Sequence, residues 1–176
     1  MKKAYLLTGG PGVGKTTIIK QALDGASVRA GGFFTEEIKT GGVRQGFRIV
    51  TMDGRSAILS HIDIKSPYRV SKYGVDIDGL DRVGVAALRD AIRECDLVVL
   101  DEIGKMELIS PRFREAVLEA IDSGKRVLGT IMLTSHPWAD KIKRHHNVAL
   151  IPLARENRKQ VLEQVMEWLE SPINGG

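Results

Sequence analysis

Reactive side chains are concentrated in two short runs of this sequence. Gly9-Gly10-Pro11-Gly12-Val13-Gly14-Lys15-Thr16 combines glycines that permit φ > 0 with a lysine and a hydroxyl, and Asp101-Glu102 sets two carboxylates directly after the apolar run Leu97-Val98-Val99-Leu100. The first run fits GxxxxGK[ST] at every fixed position, the pattern of a loop whose backbone N–H groups converge on an anion. In such a loop Lys15 reaches the β- and γ-phosphates of a nucleotide, and the Thr16 hydroxyl ligates a Mg²⁺ that bridges them. Asp101 would complete the ion's site from the opposite side through a water. Glu102 is then placed to orient and deprotonate an attacking water, because phosphoryl transfer depends on positioning and charge neutralisation.

These groups need elements to hold them. Ala4 to Leu7 predicts a strand entering the loop, and Thr16 to Leu23 a helix leaving it, whose N-terminal dipole favours an anion. Asp24-Gly25 stops that helix. Val28 to Ile38 reads as a strand in which Gly31-Gly32 marks a bulge or a close backbone approach. Together with Val43 to Met52 and Ser56 to Ile62, each following a glycine turn, it predicts an antiparallel meander, an edge or flap too short to hold its own core. Residues 63–80 carry Pro67, Gly74, Gly79 and several aspartates with little periodicity, and read as a loop.

A helix capped by Asp81 is expected to run to about Glu94. Leu97 to Leu100 has the pattern of a strand covered on both faces. Ser110-Pro111 supplies an N-cap and an N1 proline for a helix ending at Asp122. Arg126 to Leu133 reads as a buried strand, Trp138 to Arg144 as a short basic helix and Val148 to Leu153 as the last strand. Asn157 to Glu170 spaces Val161, Leu162, Val165, Trp168 and Leu169 as an amphipathic helix. This alternation predicts an α/β fold, a doubly wound, mostly parallel sheet with a ligand crevice at the carboxyl ends of its strands and a small antiparallel β insertion. We expect one domain over residues 1–170 and a frayed tail over 171–176.

The 176 residues include 43% hydrophobic and 27% charged side chains, ordinary values for a folded chain and not for a disordered one. Met1-Lys2-Lys3 leads straight into a strand with no signal-like apolar stretch, no run is long enough to span a bilayer, and Cys95 is a single cysteine. A cytoplasmic monomer without a membrane partner is the expectation. The formal net charge of +4 is spread out, densest at Lys141-Ile142-Lys143-Arg144-His145-His146, and a solvated basic helix face accounts for it better than a nucleic-acid surface.

Beyond the two runs, Gly31-Gly32-Phe33-Phe34-Thr35-Glu36-Glu37, Gly46-Phe47-Arg48-Ile49, Tyr73-Gly74-Val75, Asp101-Glu102-Ile103-Gly104-Lys105-Met106-Glu107 and Glu156-Asn157-Arg158 are distinctive. Across nearly its whole length the chain resembles the thermophile nucleoside-triphosphatase family, which includes the animal cancer-related nucleoside triphosphatase. The resemblance implies a small RecA-like P-loop NTPase that hydrolyses ATP, GTP and other triphosphates such as CTP and UTP to the diphosphate with Mg²⁺. It also implies nucleotide-site segments at Gly9 to Thr16, with the adjoining Thr17, and at Val98, Val99, Leu100, Asp101, Glu102, Ile103, Gly104 and Lys105, with contacts in the second mainly from Asp101 onward.

Other residues carry weaker signals. Lys105 could neutralise charge developing on the γ-phosphate, as an arginine finger in cis would, or be a solvent-exposed lysine. His61, His136, His145 and His146 lack metal-ligand spacing with any cysteine. Asp101-Glu102-Ile103-Gly104 overlaps the DxxG pattern of GTP switches, yet the Asn-Lys-x-Asp element that would read guanine is absent. Arg155 and Asn157 follow the last strand, where base and sugar often lie in such sheets, and an N-cap explains Asn157 equally well. Two alternatives to hydrolysis remain: a nucleotide or small-molecule kinase on the same core, and a nucleotide-gated binding module.

Overall fold

The structure, a computed structural model, describes residues 2–172. In chain order the elements are β1 (Ala4–Thr8), α1 (Lys15–Asp24), β2 (Ala30–Thr40), β3 (Val43–Thr51), β4 (Ser56–His61), β5 (Arg69–Val70), β6 (Tyr73–Val75) and α2 (Ile77–Gly79). A π-helical segment (Leu80–Val85) continues α2 into α3 (Ala86–Glu94). Then follow β7 (Leu97–Ile103), α4 (Pro111–Asp122), β8 (Arg126–Ile131), α5 (Pro137–Lys143), β9 (Val148–Pro152) and α6 (Arg158–Glu170). Short 3₁₀ turns precede α4 and α6, at Glu107–Ile109 and Arg155–Asn157.

The strands form one nine-stranded sheet in the order β5-β6-β4-β3-β2-β7-β8-β1-β9. From β2 to β9 all pairings are parallel, which is the core that the alternation of strands and helices predicts. From β2 outward to β5 they are antiparallel. Both faces are covered. Val98 and Leu100 pack with residues of α3, α4 and α5, whereas Leu97 and Val99 pack with α1 and α6. Every residue of β7 from Leu97 to Leu100 is fully buried, which is why its sequence is continuously apolar rather than alternating.

The meander is larger than expected. Residues 63–80, read as a loop, contain β5 and β6, too short to show a period, and β6 extends the sheet from β4. The following helix starts earlier than Asp81. Asp76 is its N-cap, with Oδ1 accepting from the Gly79 N–H at 3.0 Å, and Leu80 is fully buried. Asp81 instead accepts a hydrogen bond from the Ser110 hydroxyl, which also caps α4 by accepting from Phe113 N–H. Ser171, the first residue of the expected tail, accepts from the Arg126 guanidinium through its carbonyl; residues 173–176 lie outside the described residues.

Gly31-Gly32 is a close approach and not a bulge; the register shift of β2 lies between Ile38 and Lys39. Gly32 has φ +115, and a Cβ there would stand 1.9 Å from the Val99 carbonyl oxygen. On the other side of β7, a Cβ on Gly129 would stand 2.2 Å from the Leu100 carbonyl oxygen. At Val99 and Leu100 the neighbouring strands therefore meet β7 backbone to backbone, with no room for a side chain between them. Gly32→Ala should destabilise the fold by at least about 2 kcal/mol, combining positive-φ strain with a backbone clash. Urea denaturation measures it, and a loss below about 0.5 kcal/mol, the size of a neutral surface substitution, would contradict this packing.

Candidate active site

β1 and α1 position the phosphate-loop residues. Thr8 ends β1, Gly12 and Gly14 take φ of +75 and +96, and α1 begins at Lys15. The Lys15 ammonium donates to the carbonyls of Gly9 at 2.7 Å and Gly10 at 3.3 Å. One residue later, the Thr16 hydroxyl donates to Asp101 Oδ2 at 2.7 Å. The two runs, 85 residues apart in the chain, thus meet side chain to side chain.

Asp101 and Glu102 lie within β7, and the Asp101–Glu102 peptide is cis. The ladder to β8 is irregular between Leu100 and Ile103, so both carboxylates leave the regular pleat. Asp101 is buried and its other oxygen, Oδ1, accepts from the Thr130 hydroxyl at 2.6 Å. Its backbone carbonyl accepts from the Thr35 hydroxyl at 2.8 Å. Burial pushes its carboxyl above the usual range, while the two hydroxyls and Lys15 act in the opposite direction. Glu102 is also raised, first by burial and then by the charge of Asp101, with Lys15 opposing.

A third carboxyl, Glu107, belongs to the same group. It is 3% exposed, and burial followed by the charge of Glu102 raises it well above the ordinary carboxylate value. Glu107 Oε2 and Glu102 Oε1 lie 2.7 and 2.8 Å from the point where a Cβ on Gly104 would sit. Gly104 is what lets the two carboxyls converge. Around them a cleft of about 480 Å³ is lined by Lys15, Thr16, Asp101, Glu102, Lys105 and Glu107 on one side and by residues of the meander, among them Thr35, Glu37 and Phe47, on the other.

Not every predicted site residue reaches the cleft. Val98, Val99, Leu100 and Ile103 are fully buried, with parallel neighbours and helices covering both faces of β7, while Asp101, Glu102 and Lys105, where contacts in this segment are mainly expected, line the cleft. Lys105 is exposed at the cleft wall. Thr17 and Pro11 are exposed, and Gly9, Gly10 and Val13 are half-buried beside the loop's turn. Sequence reading missed Thr35, Thr130 and Glu107 as site residues. Thr130 had a signal, a hydroxyl inside a strand that is otherwise apolar from Val127 to Ile131 apart from Gly129. Glu107 had none, since a carboxylate in an exposed turn looks the same.

An oxygen donor set of one hydroxyl and one carboxylate suits a hard cation such as Mg²⁺. No cluster of three or more His, Cys, Asp or Glu with metal-holding geometry occurs among the described residues, so waters and substrate oxygens would complete the shell. Thr16 and Asp101 fit that ion.

The chain is similar to known proteins over nearly its whole length. The family described as NTPase matches residues 4–166. The nucleoside-triphosphatase THEP1 of Thermotoga maritima is 47% identical over 165 residues, which is 94% of each chain.

The chain belongs to this nucleoside-triphosphatase family.

The family's shape is preserved as well as its sequence. The crystal structure of THEP1 from Aquifex aeolicus superposes with a TM-score of 0.87 at 37% identity, over 96% of this chain and 99% of that one. The solution structure of a human cancer-related nucleoside triphosphatase gives 0.80 at 34% identity, over 97% and 98%. Membership makes this chain a hydrolase on a P-loop NTPase fold. Among the described residues no helix is long and apolar enough to cross a membrane.

The raised carboxyls have a consequence for this nucleoside-triphosphatase. Folded Glu107 holds its proton more tightly than the unfolded chain does, so its contribution to stability falls as pH rises above the ordinary value of 4.5. Glu107→Gln removes that term while keeping the side chain's size. The variant should gain on the parent progressively as pH rises above the ordinary carboxylate value of 4.5, read from urea midpoints. A gap that is flat or shrinks with pH would show that Glu107 is ionised in the fold.

Proposed function

We propose that this chain hydrolyses nucleoside triphosphates to the diphosphate and phosphate in a Mg²⁺-dependent reaction with little discrimination between bases. The observation that carries the reading is the contact between Thr16 and Asp101 with Glu102 beside it, which joins a phosphate loop to a water-orienting carboxylate. Lys15 would exchange the Gly9 and Gly10 carbonyls for β- and γ-phosphate oxygens, and the loop N–H groups would cradle the remaining charge. Mg²⁺, when bound, supplies charge neutralisation across the two phosphates. Glu102 orients the attacking water and accepts its proton, and burial beside Asp101 makes it a stronger base than a solvated glutamate. Lys105, at the cleft wall, is in place to offset charge on the γ-phosphate. The protein would work as a cytoplasmic monomer, with no nucleic-acid partner.

A second reading draws on the cleft itself. Phe47, Leu59, Val70 and Met106 give it an apolar wall, and about 480 Å³ is more than a water needs. A small alcohol there could accept the phosphoryl group. Phosphate release measured with and without candidate alcohols separates the two readings, since a kinase would transfer label to the alcohol.

Glu102→Gln keeps size and hydrogen bonding while removing the base, so kcat should fall by about 10²- to 10⁴-fold with binding of a non-hydrolysable Mg·ATP analogue retained. Asp101→Asn should instead weaken metal-dependent binding. Parental turnover in Glu102→Gln would assign water activation elsewhere.

The absence of an Asn-Lys-x-Asp element motivates a second expectation, that kcat/KM for ATP, GTP, CTP and UTP agree within about a hundredfold, roughly 2.7 kcal/mol in transition-state binding. A wider spread would reveal a base-reading pocket.

A further inference from the structure

The chain leaving β9 crosses back over the phosphate loop on the side away from the carboxylates. The Leu153 carbonyl oxygen lies 2.5 Å from where a Cβ on Gly9 would sit, and the Arg158 side chain lies against Gly14. Arg158 Nη2, Cζ and Nε stand 3.0, 3.1 and 3.2 Å from the point where a Cβ on Gly14 would project. An edge-on guanidinium would bring its nitrogens closer than the carbon between them. Near-equal distances mean that the guanidinium plane lies face-on across the glycine.

Its other surroundings are open. Arg158 is exposed, and among the described residues it makes no ion pair and no hydrogen bond. Arg44, Arg55, Arg89 and Arg93, by contrast, are all paired with carboxylates. An unpaired arginine with one face fixed on backbone presents its second face, a flat and weakly hydrated cation, to whatever lies beyond. The sheet order says what that is. β1, which carries the loop, stands between β8 and β9, with β7 beyond β8. Lys15, Glu102 and β7 mark the γ-phosphate end, so Arg158, on the β9 side, stands at the nucleoside end.

We propose that the nucleobase of the bound triphosphate stacks on Arg158, whose guanidinium is held between the Gly14 backbone and the base. The proposal rests on the nucleotide reading of the loop above. Every base has a π-face, and a guanidinium face carries no donor–acceptor pattern, so this contact adds affinity without selecting a base. It also gives position 14 a second reason to be glycine, since a side chain there would displace the arginine.

The test uses the full chain and compares the parent with Arg158→Ala and Arg158→Lys. The readouts are kcat and KM for ATP, GTP, CTP and UTP, the inhibition constant of inorganic tripolyphosphate against ATP, and the thermal midpoint. Stacking predicts that Arg158→Ala raises KM for all four nucleotides by about 5- to 100-fold, with kcat and tripolyphosphate inhibition unchanged. Arg158→Lys keeps the charge and loses the plane, so it should restore only a small part of the affinity. An equal loss for tripolyphosphate, rescued by lysine, would make Arg158 a phosphate contact and overturn the proposal. So would unchanged KM values, or a fall in kcat and thermal midpoint alone. A parent that releases no phosphate from any triphosphate would fail the hydrolase reading itself, a result distinct from every Arg158 outcome.

Discussion

A buried carboxylate has to be compensated, and the compensation of Asp101 ties this structure together. Removing such a group from water costs several kcal/mol unless hydrogen bonds replace the hydration. Here the replacements come from separate elements: Thr16 from α1 and Thr130 from β8 to the carboxylate, and Thr35 from β2 to the backbone carbonyl. Each bond to the charged group is worth about 1.5–3 kcal/mol. The same bonds that stabilise the charge fix the helix following the phosphate loop, the neighbouring strand and the root of the meander relative to β7.

The backbone around β7 makes that arrangement possible. Gly32 and Gly129 bring their strands against the Val99 and Leu100 carbonyls without side chains between them. Just beyond, Gly104 lets Glu107 and Glu102 approach; burial raises both, joined at Glu102 by the charge of Asp101 and at Glu107 by the charge of Glu102. The end of a single strand and the turn after it therefore gather three carboxyls, Asp101, Glu102 and Glu107, at one cleft. The meander closes the far side of the cleft, where Phe47 stacks edge-on to Tyr73 and Glu37 is paired with Arg44 and Lys39. Those pairs hold Glu37 below the usual carboxylate range, Arg44 first, so it remains ionised beside the raised carboxyls.

Much of this was legible in the sequence. The loop run, the strand before it, the helix after it and the Asp101-Glu102 pair are local patterns, set by glycine φ, apolar periodicity and residue spacing within a few positions. The caps Ser110 and Pro111, and the parallel core, follow from the same local chemistry. What failed were features without a local period. β5 and β6 are two and three residues long, and Asp76 and Asp81 look alike until packing shows which one meets the first turn.

The sequence by itself determined that this chain carries a phosphate loop, an acidic strand end and an α/β layout, because each is written in contiguous residues. Only the tertiary structure decided which side chains share the site. Thr35, Thr130 and Glu107 come from three different places in the chain, and apart from the apolar strand around Thr130 nothing local sets them apart from residues that stay in solvent. Their roles arise from the strand order, which puts β8 and β2 on either side of β7 and β9 beside β1. The physical reason is that burial and charge are sums over neighbours distant in sequence, and those neighbours exist only once the sheet has formed.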